Sequence, residues 1–243
     1  MKYHLALLVS LLYVLPSAGQ DQMEAQDKEV RNRVGLMVTD LINGAYLLNY
    51  ERALGKHIGV ALNAGYKGDK GLLSLSGLDT DQIKIGDITY SGLKIVPEFR
   101  YYLNEKGSGM LTGFYFGAYL KFLQYNSDLG GTFINSAGES FEVLYEGKIN
   151  VASGGLMVGY KLNLSKRLSI DFLIAGPGAG NYNFKLKNII PPPDEFYDAL
   201  NEALKQYSIF DLLNAEFKFT DNRQNTNLLL PEFRYGITLG YSF

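Results

Sequence analysis

The sequence contains no cysteine and only two histidines, His4 and His57. The absence of cysteine excludes a disulfide scaffold, a thiol nucleophile, a Cys-ligated zinc site and a lipidated N-terminal cysteine. With only two histidines, a histidine-based metal site or a catalytic triad is nearly excluded. We therefore predict no catalytic residue, no metal site and no cofactor, and we expect a protein that is not an enzyme.

The sequence also lacks a charge excess and a long apolar run. Its 23 Lys+Arg residues face 25 Asp+Glu residues, a net charge of −2, which argues against binding to nucleic acid. A disordered chain is excluded because 47% of the residues are hydrophobic and 13% are aromatic. What is abundant is glycine (27), tyrosine (18) and phenylalanine (14), which together indicate a β-rich protein.

The first nineteen residues resemble a secretory signal peptide. Lys2 supplies a positive start, Leu5–Leu15 is apolar, and small residues follow at Ser17-Ala18-Gly19. The apolar run is shorter than the roughly 20 residues that a membrane-spanning helix needs. We predict a signal peptide over residues 1–19, which would remove His4, and a periplasmic N-terminal segment over residues 20–32.

The remaining chain alternates between apolar and polar or small residues. The final segment is the clearest case, because every second residue from Phe233 to Phe243 is apolar and the residues between them are polar or small. A period of two over this length is typical of a strand whose two faces meet different environments. Similar alternation predicts about eight strands, near residues 34–38, 46–51, 58–66, 93–103, 113–122, 155–164, 168–175 and 233–243.

The connections between these segments alternate in length. Residues 52–57, 104–110 and 165–167 are short turns, whereas residues 67–89, 127–148 and 185–230 are long connections. Asn43-Gly44 is a strong hairpin signal that divides Val34–Arg52 into two strands. The division gives an even strand count, as bacterial transmembrane barrels have.

The composition of the two faces favours a membrane barrel over a soluble one. The polar faces are rich in small residues, as a narrow interior requires, and carry fewer charges than the outer surface of a soluble barrel would. Tyrosines flank the apolar faces in the manner of the aromatic girdles at membrane interfaces. We assign to these girdles Tyr50, Tyr66, Tyr101, Tyr160, Tyr182 and Tyr241.

The predicted fold is therefore all-β. It is an eight-stranded antiparallel up-and-down transmembrane β-barrel over residues 33–243, with a helical insertion in the last extracellular loop. A soluble lipocalin-like barrel, with its apolar faces inward and a lipophilic ligand inside, remains the alternative.

The final segment, FRYGITLGYSF, resembles the C-terminal strand that outer-membrane barrels present to their assembly machinery, with Tyr241 and Phe243 as its signature. The mature chain resembles small eight-stranded barrels of the OmpA/OmpX type. The stretches Leu47–Tyr66 and Pro97–Leu103 resemble an uncharacterised family of Gram-negative barrels known only as a domain of unknown function. The resemblance covers roughly residues 30–243 and implies an architecture rather than an activity.

If the apolar faces point outward, several charged residues point inward. A charge in a narrow interior is costly unless it is paired, so we predict a network of salt bridges. It either closes the interior permanently or gates a narrow pore. The stretch Pro97–Tyr101 recurs as Pro231–Tyr235, with Glu and Arg inward in both. The predicted network contains Glu51, Glu98, Arg100, Lys121, Lys161, Asp171, Glu232 and Arg234, with Lys94 on the same face.

The long connection over residues 185–230 contains a helical pattern. Pro191-Pro192-Pro193 ends the preceding strand, and Asp194 is a suitable N-cap. We predict a helix over about residues 195–214 that caps the barrel mouth with its apolar stripe on the rim or in lipid, or that binds a partner or gates a ligand. That stripe consists of Phe196, Leu200, Leu204 and Tyr207.

These features predict a non-enzymatic outer-membrane protein of a Gram-negative bacterium, with a structural or surface-interaction role. Its partners would be outer-membrane lipid and lipopolysaccharide, the barrel-assembly machinery and an unknown extracellular molecule. A porin-like protein, conducting ions or small solutes through a narrow pore, is the main alternative.

Overall fold

The computed structural model describes residues 31–69, 71, 77–103, 111–190, 192–205, 219–220 and 224–243. The predicted signal peptide and most of the predicted N-terminal segment lie outside these residues. The described residues form two helices, α1 Val38–Ile42 and α2 Glu195–Lys205, together with nine strands. The strands are β1 Asn32–Met37, β2 Ala45–Ala53, β3 Ile58–Lys67, β4 Ile83–Ile85, β5 Ser91–Leu103, β6 Gly113–Ile134, β7 Ser140–Asn163, β8 Leu168–Ile190 and β9 Asn225–Ser242.

Eight of the nine strands close into a ring. All pairings are antiparallel, and the order around the ring is β1-β2-β3-β5-β6-β7-β8-β9, with β9 returning to β1. The ninth strand, β4, pairs with one end of β6. The predicted all-β, antiparallel architecture is confirmed, and each ring strand pairs with its neighbours along the chain.

The first two strands are separate, but the connection between them contains a helix as well as the predicted turn at Asn43-Gly44. Helix α1 follows β1, and the chain reverses at Asn43 and Gly44, where Gly44 adopts a φ of 72°. Such a positive φ costs glycine little and other residues more. The Asn-Gly signal therefore marks the reversal correctly, while the preceding Val38–Ile42 adds a helical turn.

Four strands are longer than predicted, because two segments taken as loops continue the sheet. Residues 127–148, predicted to be a long connection, form the paired ends of β6 and β7 around a turn at residues 135–139. Strand β8 continues to Ile190 because its last residues pair with β7, so the last connection begins at residue 191 rather than 185. These additional parts of β6, β7 and β8, with the start of β9, form a four-stranded sheet at one end of the ring. We call this sheet the extension.

The two faces of the ring strands are reversed relative to a soluble protein. In β9 the apolar residues from Phe233 to Phe243 are exposed, while Arg234 and Thr238 between them are buried. The same pattern runs around the ring, where exposed side chains include Leu48, Leu62, Ile95, Phe116, Leu156 and Leu239. We call this exposed surface the apolar belt.

The assignment of Tyr182 to the outer surface is wrong. A register shift in β8 between Leu173 and Gly176 inserts a bulge, and a bulge exchanges the two faces of the strand beyond it. Tyr182 therefore points inward, where its hydroxyl donates a hydrogen bond to Glu232 Oε2 at 3.2 Å. No local residue pattern predicts this bulge.

A second hydrophobic core lies at the end of the extension. It packs α2 and β4 against the inner face of the extension, and Phe196 is fully buried between Phe133 and Tyr145, at ring-centroid distances of 5.5 and 5.2 Å. The predicted placement of the stripe on the rim or in lipid is wrong, because Phe196 and Leu200 are buried and Leu204 packs against this core. Residues 206–214 of the predicted helix, including Tyr207, lie outside the described residues.

Neither described helix is long and apolar enough to cross a membrane.

Candidate functional site

The interior of the ring holds a continuous network of charged side chains. Glu51 on β2 is fully buried, and Lys161 on β7 donates a hydrogen bond to its Oε2. Arg33 Nη1 and Arg100 Nη1 approach the same oxygen at 3.3 and 3.5 Å. The Tyr102 hydroxyl donates to the other carboxylate oxygen at 2.5 Å. One carboxylate thus meets three cations and one hydroxyl.

Asp171 on β8 is the second carboxylate of this cluster. Its Oδ2 lies 2.5 Å from Arg100 Nη1 and 3.5 Å from Arg33 Nη1, and its Oδ1 accepts a hydrogen bond from the Tyr115 hydroxyl at 3.0 Å. Arg33 and Arg100 therefore both bridge Asp171 and Glu51. A buried charge is stable only when it is paired and hydrogen-bonded in this way.

Glu98 connects this cluster to the other half of the ring. Arg100 donates to its Oε2 at 2.5 and 2.9 Å, and Arg234 Nη2 donates to its Oε1 at 2.8 Å. Asn63 also donates to Oε1 at 2.7 Å. The repeated Glu and Arg pairs of the two Pro-Glu-Phe-Arg-Tyr stretches therefore meet through Glu98 and Arg234.

A second cluster surrounds Glu232, towards the extension. Lys121 forms an ion pair with its carboxylate, and the Tyr119 hydroxyl donates to Oε1 at 2.8 Å. The guanidinium of Arg234 lies 4.4 Å from the centre of the Tyr119 ring. Tyr182 also donates to this carboxylate, which therefore has three partners.

Inward tyrosines fill the space between the charges, and glycines on facing strands admit them. The Tyr119 ring crosses the interior, and its hydroxyl oxygen also lies 3.1 Å from the Gly176 carbonyl oxygen. A Cβ atom at Gly155 would lie 2.8 Å from that hydroxyl, and one at Gly178 would lie closer still. Tyr115 occupies the equivalent space over Gly159. An eight-stranded ring is just wide enough to be filled by its own side chains.

The eight residues predicted for this network lie together in the interior, and Lys94 lies apart. Its ammonium pairs with Asp40 on α1 at 2.8 Å, and both side chains are 18% exposed. Sequence reasoning missed Arg33, which is 2% exposed, because the strand pattern is weak before Val34. Arg33 lies two residues before Gly35 and four before Met37, so the alternation of a strand places it on the same inward face. This even spacing is the sequence signal that would have predicted it.

The network contains four carboxylates and five cations. Each carboxylate accepts hydrogen bonds or ion pairs from at least two groups. Among the described residues, three guanidinium nitrogens of the network have no partner: Nε and Nη2 of Arg33 and Nη1 of Arg234. Every carboxylate of the network is paired with at least one cation.

His57 lies at one end of the ring, apart from Asp171 and Glu232. His57 lies in the turn between β2 and β3, and its Nδ1 is 2.9 Å from the Tyr102 carbonyl oxygen. The described part of the chain contains no group of three or more His, Asp or Glu residues that could hold a metal ion.

The family model described as "Protein of unknown function (DUF3575)" matches residues 10–209. The chain belongs to this family. The DUF3575 match covers strands β1 to β8 and helix α2, and it includes Glu51, Arg100 and Asp171. No curated protein and no solved structure matches the chain.

The C-terminal signature residues lie on the outside of this DUF3575 ring. Tyr241 is 37% exposed and Phe243 is 56% exposed. Phe243 exchanges backbone hydrogen bonds with Asn32 at 2.9 and 3.3 Å, so the residue that follows β9 lies beside the first strand of the ring. The ends of β1 and β9 thus close the ring at its short-turn end.

Proposed function

We propose that this protein is a small outer-membrane β-barrel of a Gram-negative bacterium, exported by a signal peptide, with a non-enzymatic structural or surface-interaction role. The observation that carries the proposal is the reversal of the two faces. A belt of exposed apolar side chains surrounds the ring, and the buried interior contains the charges. In water the exposed belt would be costly, whereas in a bilayer it is the favourable surface.

The aromatic residues support the same placement. Tyr50, Tyr101, Tyr160 and Tyr241 lie on the outer face near the short-turn end, and Tyr66 lies near the other end. Tyrosines at both edges of an apolar band are typical of proteins that cross a bilayer. A lipocalin-like barrel requires the opposite orientation, with its apolar side chains inside.

The filled interior favours a structural role over conduction. A pore would require the ion pairs of Glu51, Asp171 and Glu98 to separate, and it would require the Tyr115 and Tyr119 rings to leave the axis. Both changes expose buried charges without partners, which is costly. The pore remains the second candidate because the interior holds nine charged side chains.

The extension supports a surface-interaction role. It carries its own hydrophobic core beyond the apolar belt, and the long connections at that end pack against this core through β4 and α2. An unknown extracellular molecule would bind there, and the outer-facing final strand, ending at Tyr241 and Phe243, would be presented to the barrel-assembly machinery.

Gel mobility and protease access test the placement together. The protein from an outer-membrane fraction should migrate differently before and after boiling, because closed membrane barrels resist detergent until heated. Trypsin added to intact cells should cleave at the extension end, for example near Lys84, and should spare Lys166 and Arg167 in the turn before β8 until the envelope is permeabilised. A soluble protein, or cleavage at Lys166 and Arg167 in intact cells, would refute the proposal.

Conductance in planar bilayers separates the two candidate roles. A closed interior predicts no reproducible steps for the wild-type protein. Steps whose size changes in Arg100→Ala or Lys121→Ala would establish the pore instead.

A further inference from the structure

The outer face of the extension is organised in rows that run across four neighbouring strands. One row of the apolar belt contains Phe122 and Leu229, which are 47% and 79% exposed. The next row, two residues further along each strand, consists only of amides, and we call it the amide row. It contains Gln124, Asn150, Asn183 and Asn227, which are successive partners in the register of β6, β7, β8 and β9.

The following row combines amides with two lysines, and we call it the lysine row. It contains Asn126, Lys148, Lys185 and Asn225, again successive register partners. All four are exposed, while the residues between the two rows, such as Thr226, point to the inner face. The eight side chains of both rows therefore share one surface directly beyond the apolar belt.

Lys148 and Lys185 face each other across β7 and β8 without a counter-charge. Neither forms an ion pair with any other described residue. Like charges directly opposite each other in a sheet destabilise it. An anion bound between the two ammonium groups would remove this repulsion.

The acidic residues of this surface lie one row further out. Lys187 pairs with Glu146 at 3.1 Å, and Asp128 is the register partner of Glu146. The lysine row is thus separated from the acids by the spacing of one row, about 7 Å. A cleft of about 430 Å³ lies against Lys148 and Lys185, and Glu146, Lys187, Gln224 and Asn225 also line it.

The lysine row lies just outside the headgroup region of a bilayer, within reach of a lysine side chain. It lies two rows beyond Phe122 and Leu229, about 13 Å along the strands and about 10 Å along the bilayer normal for strands tilted by about 40°. The headgroup region extends about 5–8 Å beyond the hydrocarbon on each side. A lysine side chain can bend back towards this level while its stem lies on the protein surface.

From these rows we infer that the amide row and the lysine row form a binding site for the phosphorylated headgroup of an outer-leaflet lipid. Lys148 and Lys185 hold the phosphate, and the amides of the row below bind hydroxyl and carbonyl groups of the headgroup. The acyl chains then lie along the apolar belt below. The inference rests on the proposed membrane placement and adds a specific ligand to it.

Lipid retention in native mass spectrometry tests the site. The wild-type protein in detergent is mixed with lipid A carrying two phosphates, with the same lipid A after removal of its phosphates, or with inorganic phosphate. The test variant is Lys148→Gln with Lys185→Gln. The control is Lys84→Gln with Lys166→Gln, which also removes two exposed lysines. Lys84 lies on β4, and Lys166 lies in the turn before β8, at the end of the ring away from the extension. A boiling-dependent mobility shift first verifies that each variant is folded.

The site predicts that the wild-type and control proteins retain phosphorylated lipid A. The test variant should retain it about tenfold less or weaker still, as should the wild-type protein with the phosphate-free lipid. Lys148→Arg with Lys185→Arg should restore retention. Equal retention by the test variant and the wild-type protein would overturn the inference. Full displacement of the lipid by millimolar inorganic phosphate would overturn it too, in favour of a small-anion site. A wild-type protein without a mobility shift would instead refute the membrane placement.

Discussion

Replacing Glu51 with glutamine should be among the most destabilising conservative substitutions in the chain. Glu51 and Asp171 together face Arg33, Arg100 and Lys161, a local charge of 3 − 2 = +1. Glu51→Gln raises that sum to 3 − 1 = +2 within a fully buried site. The side-chain volume is retained, and the amide oxygen can still accept the hydrogen bond from Tyr102. The expected loss of stability is therefore mainly electrostatic.

Removing one member of a buried ion pair typically costs about 3–5 kcal/mol, because the remaining charges stay buried without compensation. We expect a decrease of this size in the free energy of unfolding of Glu51→Gln. Since the chain has no tryptophan, unfolding by guanidinium chloride in detergent micelles is best followed by far-UV circular dichroism.

The matched control is Glu146→Gln. Glu146 also pairs with a lysine, but the side chains of Glu146 and Lys187 are 42% and 71% exposed. An exposed pair of this kind contributes less than about 1 kcal/mol. Adding Lys161→Met to Glu51→Gln should recover part of the lost stability, because it removes one of the uncompensated cations. A decrease below about 1 kcal/mol for Glu51→Gln would refute the view that these ion pairs hold the interior together.

Three further outcomes follow from the same structure. Gly240→Ala should destabilise the ring, because its Cβ would lie 2.6 Å from Cζ of Arg33, whereas Gly55→Ala, with open space around it, should leave the unfolding midpoint unchanged. Phe196→Ala should cost about 3–5 kcal/mol in the core of the extension and increase proteolysis of the last connection, while Asp198→Ala on the exposed side of α2 should change neither. In planar bilayers the wild-type protein should show no conductance steps, and reproducible steps would contradict the closed interior.

The strands and their faces are determined largely by local pattern. A period of two sets which residues share a face, and this requires no knowledge of the neighbouring strands. The Phe233–Phe243 segment shows this, since its apolar residues are exposed and the residues between them are inward in the structure, as the alternation predicts. The same reasoning identified the inward side of Glu98 and Arg100.

The partners within the interior could not be predicted in this way, because they depend on the register of strands far apart in sequence. Glu51 and Lys161 are 110 residues apart, and Arg234 and Glu98 are 136 apart. Residues of this kind meet only after the ring has closed. The inclusion of Arg33 is likewise a result of closure, since β1 is held between β2 and β9.

Sequence alone thus determined that the chain alternates, that its polar faces carry balanced charges and that its final strand is apolar on one side. Only the tertiary structure decided that the bulge in β8 turns Tyr182 inward, that residues 127–148 continue the sheet, and that the stripe of α2 lies in a second core. The physical reason is that side-chain alternation is a local property of the backbone, whereas bulges, strand length and helix docking are set by pairing and packing between distant segments.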